Sequence, residues 1–210
     1  MYDAPSLKPT LEVRWFFDQA PFSRAVFFPR QQEPGDRVDW YAFPCHAKSG
    51  IKFRQGRLET KLQTDSIGTA NLAGNDVQGV LESWTKWSVE IPPEDPHPSE
   101  DLLRATGWVA VRKQRFLRSF ELTSAAATEV PSRTGDGCDF ELTILELQGR
   151  SYWTVGLEAV GATDNLRAMI MAVVEATLVA GLPRNELCEL FRIENSFSYP
   201  AWLRHAVVTT

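Results

Sequence analysis

The stretch Gly50-Ile51-Lys52-Phe53-Arg54-Gln55-Gly56-Arg57-Leu58-Glu59-Thr60-Lys61-Leu62 decides how the chain is read. Gln55-Gly56 suits a two-residue hairpin turn, because glycine takes positive φ at no steric cost. Around that turn Arg54 stands opposite Arg57 and Lys52 opposite Glu59. Partners across an antiparallel pair share a face, and faces alternate along each strand. Lys52, Arg54, Arg57, Glu59 and Lys61 therefore lie on one face. Ile51, Phe53, Leu58, Thr60 and Leu62 lie on the other, which is expected to hold the packing core. The charged face has two readings. Antiparallel sheets commonly show one face to water. Alternatively, the charges line the inside of a barrel, with the apolar core outside it, between sheet and helices. Four of these five charges are basic although the chain as a whole is acidic. A solvated face more often mixes signs.

Working outward, other segments split the same way. Glu12 and Arg14 oppose Leu11, Val13, Trp15 and Phe17. Thr154, Gly156 and Glu158 oppose Trp153, Val155, Leu157 and Ala159, and Lys113 and Arg115 share a face. The alternation predicts strands over 11–17, 37–43, 51–62 (as a hairpin), 81–91, 107–122, 140–147, 152–160 and a short final one over 188–193. A helix is expected over 164–180, opened by polar capping residues and stopped by Gly181 and Pro183. Leu166, Ile170, Val173, Val174 and Thr177 form its apolar stripe. Shorter turns of helix are expected after Ser99 and over 198–203. Segments 18–36 and 65–80, rich in Gly, Pro, Asn and Asp, read as loop insertions. Val26-Phe27-Phe28-Pro29 reads as core packing, with a lid or a homodimer contact as the alternatives. Strands continue on both sides of every loop, so 1–210 reads as one domain. Its class is α+β: an antiparallel barrel with flanking helices.

Composition excludes several classes. The 210 residues are 43% hydrophobic and 23% charged, with net charge −5, which is ordinary for a globular chain. No apolar run reaches the roughly 18 residues of a spanning helix. The acidic balance argues against a generic nucleic-acid surface, and no signal-peptide pattern is visible. Three scattered cysteines without a C-x-x-C pair suit a reducing, cytoplasmic setting. No G-x-G-x-x-G, Walker loop or G-x-S-x-G is present. Basic residues gathered on interior faces would attract phosphates, Arg bidentately. Carboxylates in the same space would pair with them or hold a divalent cation.

The ordered set of motifs resembles the CYTH superfamily, the triphosphate tunnel metalloenzymes. Thr10-Leu11-Glu12-Val13-Arg14 is similar to the family's opening E-x-E-x-K. Ile51-Lys52-Phe53-Arg54 and Glu59-Thr60-Lys61 resemble its basic strands, and Val111-Arg112-Lys113-Gln114-Arg115 its K-x-R strand. Phe140-Glu141-Leu142-Thr143 with Thr154-Val155-Gly156-Leu157-Glu158 resembles its acidic hairpin. Ser198-Tyr199-Pro200-Ala201-Trp202-Leu203 resembles its S-Y-x-x-L-L. The resemblance implies an eight-stranded tunnel and metal-dependent hydrolysis of a triphosphate or polyphosphate. Arg14, Lys52, Arg54, Arg57, Lys61, Lys113 and Arg115 would clamp phosphates. Glu12 and Glu158 would hold Mg²⁺ or Mn²⁺, with Glu59, Glu141 and Glu146 as further acidic groups. Glu59 and Lys61 would act on the reacting water. The departures are Thr10 and Gly156, where the family has carboxylates, and Arg14, which stays protonated. They open the alternative of a module that binds an anionic ligand without turnover.

Overall fold

The computed structural model describes residues 8–28, 35–123 and 126–208. Nine antiparallel strands follow in chain order: β1 (Lys8–Phe17), β2 (Gly35–Ala42), β3 (Ser49–Arg54), β4 (Arg57–Ala73), β5 (Val77–Glu90), β6 (Trp108–Thr123), β7 (Ala126–Val130), β8 (Gly137–Leu147) and β9 (Arg150–Val160). The helices are α1 (Glu100–Ala105), α2 (Leu166–Val174), α3 (Arg184–Leu190) and α4 (Tyr199–Val208). The strand order is β2-β3-β4-β5-β1-β9-β8-β6-β7, and β2 also pairs with β6. That pairing closes eight strands into a barrel and leaves β7 as an extra strand on β6. The α+β barrel expected from the alternation is therefore present.

Two glutamine-glycine turns set the hairpin registers. Gln55 and Gly56 take φ of 46° and 73°, and Gln148 and Gly149 take 51° and 78°. Positive φ at both central residues matches the twist of the flanking strands. Arg54 then pairs with Arg57, and Lys52 with Glu59, in the register read from sequence.

The main core lies outside the barrel wall. Leu11, Val13, Trp15, Phe140, Val155 and Leu157 point outward and pack under Leu166, Ile170, Val173, Val174 and Leu178. The last of these lies in a π-helical segment, Glu175–Val179, that prolongs α2. Phe27 and Phe28 are buried in the same core, while Val26 is exposed; Pro29 lies outside the described residues.

Three expectations need correction. Segment 65–80 is not a loop: β4 and β5 run through it, joined by residues 74–76, with register shifts at Gln63/Asp65, Ser66/Gly68 and Asn71/Ala73. The bulges absorb the loop-type residues, while Ala70, Leu72, Val77 and Leu81 anchor the hairpin in the core. Residues 188–193 are not a strand, since α3 and a 3₁₀ turn occupy them. The apolar face of the β3–β4 hairpin is only partly covered. Phe53 packs with Trp40 and with Leu103 of α1, but Ile51 and Leu62 remain 42% and 52% exposed. α2 and α3 cover the other side of the barrel, and α1 alone is too short to cover this one.

The barrel interior is divided along its axis. Phe16, Tyr41, Val111, Leu145, Leu147 and Tyr152 share the inward parity of the charged residues but form an apolar cluster at one end. Trp202, Leu203 and Ala206 of α4 pack into it. Trp202 stacks on Phe16, centroids 4.6 Å apart, and meets Tyr152 edge-on at 5.3 Å. α4 thus floors the barrel, and the remaining interior is a blind cavity.

Candidate functional site

The cavity above α4 has a volume of about 220 Å³, room for about seven waters at their liquid volume. Inward positions of all eight barrel strands contribute to it. Arg14, Arg37, Lys52, Arg54, Lys61, Lys86, Lys113 and Arg115 supply positive charge, and Glu12, Glu59, Asp139, Glu141 and Glu158 negative charge. The lining therefore carries eight basic against five acidic groups, opposite in sign to the whole chain.

Three carboxylates organise most of the cations. Asp39, fully buried, accepts from Lys113 Nζ at 2.9 Å and Arg37 Nε at 3.0 Å, with Lys52 Nζ at 3.8 Å. Burial opposes its charge, but Lys113, Lys52 and Arg37 outweigh burial and hold the carboxyl far below the usual range. Lys113 also donates to the Tyr41 hydroxyl at 2.6 Å and lies 3.9 Å from the centre of the Tyr199 ring. Burial pushes its ammonium down to about 7, against the pull of Asp39. Glu59 meets Arg54 at 2.8 Å, Lys52 at 3.0 Å and Lys86 at 3.3 Å. Burial resists, but Lys52, Lys86 and Arg54 bring its pKa to about 2. Glu141 meets Arg14 at 2.9 Å and Arg115 at 3.6 Å, and Thr143 donates to it at 2.8 Å. Its pKa also falls to about 2, with burial opposed by Arg14 and Arg115.

A row of acids crosses four neighbouring strands at the far end. Glu82 pairs in register with Glu12, Glu12 with Glu158, and Glu158 with Asp139. Lys61 contacts Glu12 and lies 4.0 Å from Glu158. Burial and the charge of Glu12 push Glu158 upward. Burial takes Glu82 to about 7, with the Trp84 hydrogen bond opposing and Glu12 adding to the rise. Asp139 is drawn aside, held by Arg133 at 2.7 Å and by the Ser119 hydroxyl at 2.8 Å.

The residues named from sequence divide as follows. Arg14, Lys52, Arg54, Lys61, Lys113, Arg115, Glu12, Glu59 and Glu158 all line the cavity. Arg57 does not: at the open turn of the hairpin it is half-exposed and pairs with Glu90 at 2.6 Å. Glu141 is inside, while Glu146 lies on the outer surface beside Trp108 and Gln148. As a base, Glu59 is poor because three cations hold its proton affinity down. Lys61 is poor as well: burial opposes its charge, but Glu12 and Glu158 raise its pKa. Sequence reading missed Arg37, Asp39, Glu82, Lys86 and Asp139. Arg37-x-Asp39-x-Tyr41 and Glu82-x-Trp84-x-Lys86 carry the inward parity, but only the closed register shows which side is inside.

A divalent cation fits this lining badly. Among the described residues no three His, Cys, Asp or Glu side chains are grouped to hold one. Arg14 pairs with Gly156 across β1 and β9, and its guanidinium lies over that glycine to reach Glu141. A Cβ on Gly156 would come within 2.6 Å of Arg14 Cζ. Glycine at 156 and the Arg14 guanidinium thus share one space in the lining.

No protein-family model matches the chain, and no curated protein matches it. Among solved structures it is similar to the PH1819 protein of Pyrococcus horikoshii OT3. The match has 14% identity and TM-score 0.43, and covers 96% of this chain and 99% of that one. No described helix is long and apolar enough to cross a membrane.

Proposed function

We propose that the barrel binds a triphosphate or polyphosphate end-on in its blind cavity. The observation that supports this most is the concentration of eight basic side chains, against five acidic ones, around an interior space of a chain with net charge −5. Arg54, Lys86 and Arg115 approach from different strands, so phosphate oxygens along a chain could each meet a donor. The pairs to Glu59 and Glu141 hold those donors in place before the ligand arrives. Charge-assisted bonds to phosphate are among the strongest that side chains make, and α4 limits how deep the chain can enter.

A second reading, hydrolysis of the bound chain, is favoured by Glu158. Its carboxyl lines the cavity and burial raises its pKa, which makes it a better base near neutral pH than Glu59.

Calorimetry with inorganic tripolyphosphate at low and moderate salt tests the first reading. Binding that weakens as salt rises is expected, and no detectable heat at either salt would overturn it. Phosphate release from tripolyphosphate, thiamine triphosphate and ATP, with and without Mg²⁺ or Mn²⁺, tests the second. Binding without release on any of them removes hydrolysis and leaves the binding module.

A further inference from the structure

We infer that Arg14 and Lys61 are built-in cations that take the place of a divalent metal beside Glu12, Glu141 and Glu158, so that phosphate binding here needs no metal. Its last clause rests on the polyphosphate reading; the rest does not.

Three observations carry it. Glu12 and Glu158 are register partners, and the next inward pair along the same two strands is Arg14 and Gly156, with Glu141 opposite Gly156 on β8. Carboxylates from three adjacent strands thus face two fixed cations: Arg14 meets Glu141, while Lys61 contacts Glu12 and lies 4.0 Å from Glu158. Arg14 Nη1 donates to Glu141 at 2.9 Å and to the Thr154 hydroxyl at 3.3 Å. The guanidinium lies where a Cβ on residue 156 would stand, within 2.6 Å of Arg14 Cζ. Burial disfavours the cation, but Glu141, Glu12 and Glu158 hold it charged. A guanidinium is permanently protonated and geometrically fixed. It neutralises Glu141, as Lys61 does Glu12 and Glu158, but it cannot dissociate, and its positive charge repels an incoming metal ion.

Removing Arg14 should free Glu141 for a metal ion. Mn²⁺ titration followed by electron paramagnetic resonance, with no phosphate present, compares wild type, Arg14→Ala and Arg14→Ala/Glu141→Gln. Arg14→Ala is expected to bind Mn²⁺ at least about tenfold more tightly than wild type, since Glu141 then loses its closest cation and the repelling charge is gone. The added Glu141→Gln should take most of that gain away. Arg14→Met keeps the apolar stem and replaces Arg14→Ala if circular dichroism shows that variant unfolded. Wild type binding Mn²⁺ as tightly as the folded variant would overturn the inference, as would a folded variant that gains nothing. Tripolyphosphate binding to wild type should be equal in chelator and in Mn²⁺, and a requirement for Mn²⁺ would also overturn it. If tripolyphosphate binds under neither condition, the polyphosphate reading fails, and the Mn²⁺ titrations alone still decide the role of Arg14.

Discussion

Asp39→Asn removes the one ion-pair partner that Lys113 and Arg37 have among the described residues, and a second partner of Lys52. Asp39 is completely inaccessible and faces Lys113, Arg37 and Lys52 at 2.9, 3.0 and 3.8 Å. Breaking a buried ion pair by removing one partner costs about 3–5 kcal/mol, because the other charge stays buried without compensation. For a chain of this size each kcal/mol lowers Tm by roughly 2–4 °C, so a fall of roughly 6–20 °C is expected. The loss should depend on pH, with a definite sign. Burial lowers the folded pKa of Lys113 from 10.5 to about 7, and Asp39 opposes that fall. Without Asp39 the folded pKa drops further, so the variant's lysine sheds its proton at a lower pH than the wild type's. Between those two pKa values the variant's unfolded state binds more protons than its folded state, and its stability rises with pH. The deficit against wild type is therefore largest near pH 5 and smaller near pH 8. Thermal melts by circular dichroism at both pH values measure it. A deficit below about 1 kcal/mol at pH 5, the range of an exposed pair, would refute the reasoning. So would a deficit that does not change between the two pH values. At pH 5 tripolyphosphate should meanwhile bind the folded variant more tightly, because Lys113 and Arg37 lose their internal partner.

Glu82→Gln should stabilise the protein at pH 8 and do little at pH 4. The folded pKa of Glu82 is raised from 4.5 to about 7, so the wild type loses stability as pH rises through that window. The variant escapes a loss of up to about 3 kcal/mol, readable as a flatter profile of urea midpoint against pH. Trp202→Ala should cost about 3–5 kcal/mol through the cavity it leaves, lowering the urea midpoint. Tripolyphosphate binding should survive in the folded fraction, because Trp202 sits below the charged lining.

Much of the wall was legible because its signal is local. A period of two assigns faces within a strand, and a glutamine-glycine turn fixes the register of its hairpin. Those two rules placed Lys52, Arg54, Glu59 and Lys61 together without knowledge of any other strand. They could not exclude Arg57, whose parity is inward but whose position at the turn puts it beyond the cavity. Nor could they include Asp39 or Glu82, whose neighbours are set by the β2–β6 closure and by β1 lying between β5 and β9. Residues 65–80 were misread because Gly68, Asn71 and Gly74 have loop character, and bulges inside a long hairpin use the same residues. Residues 188–193 were misread because a short mixed apolar run has no period long enough to separate helix from strand. The contact of Arg14 with Gly156 was invisible, since the two are 142 positions apart and meet only through the β1–β9 register.

That register also governs when the molecule can form. On the ribosome β1 emerges with neither of its partners present. β5 follows about 70 residues later and β9 about 140, which at ordinary synthesis rates of roughly 5–20 residues per second is a wait of seconds to tens of seconds. Throughout that interval Leu11, Val13 and Trp15 lack the cover they have in the finished core. The barrel therefore assembles only after synthesis has nearly passed its last strand. A nascent chain stalled before β9 would leave that apolar surface exposed, as an aggregation-prone intermediate does.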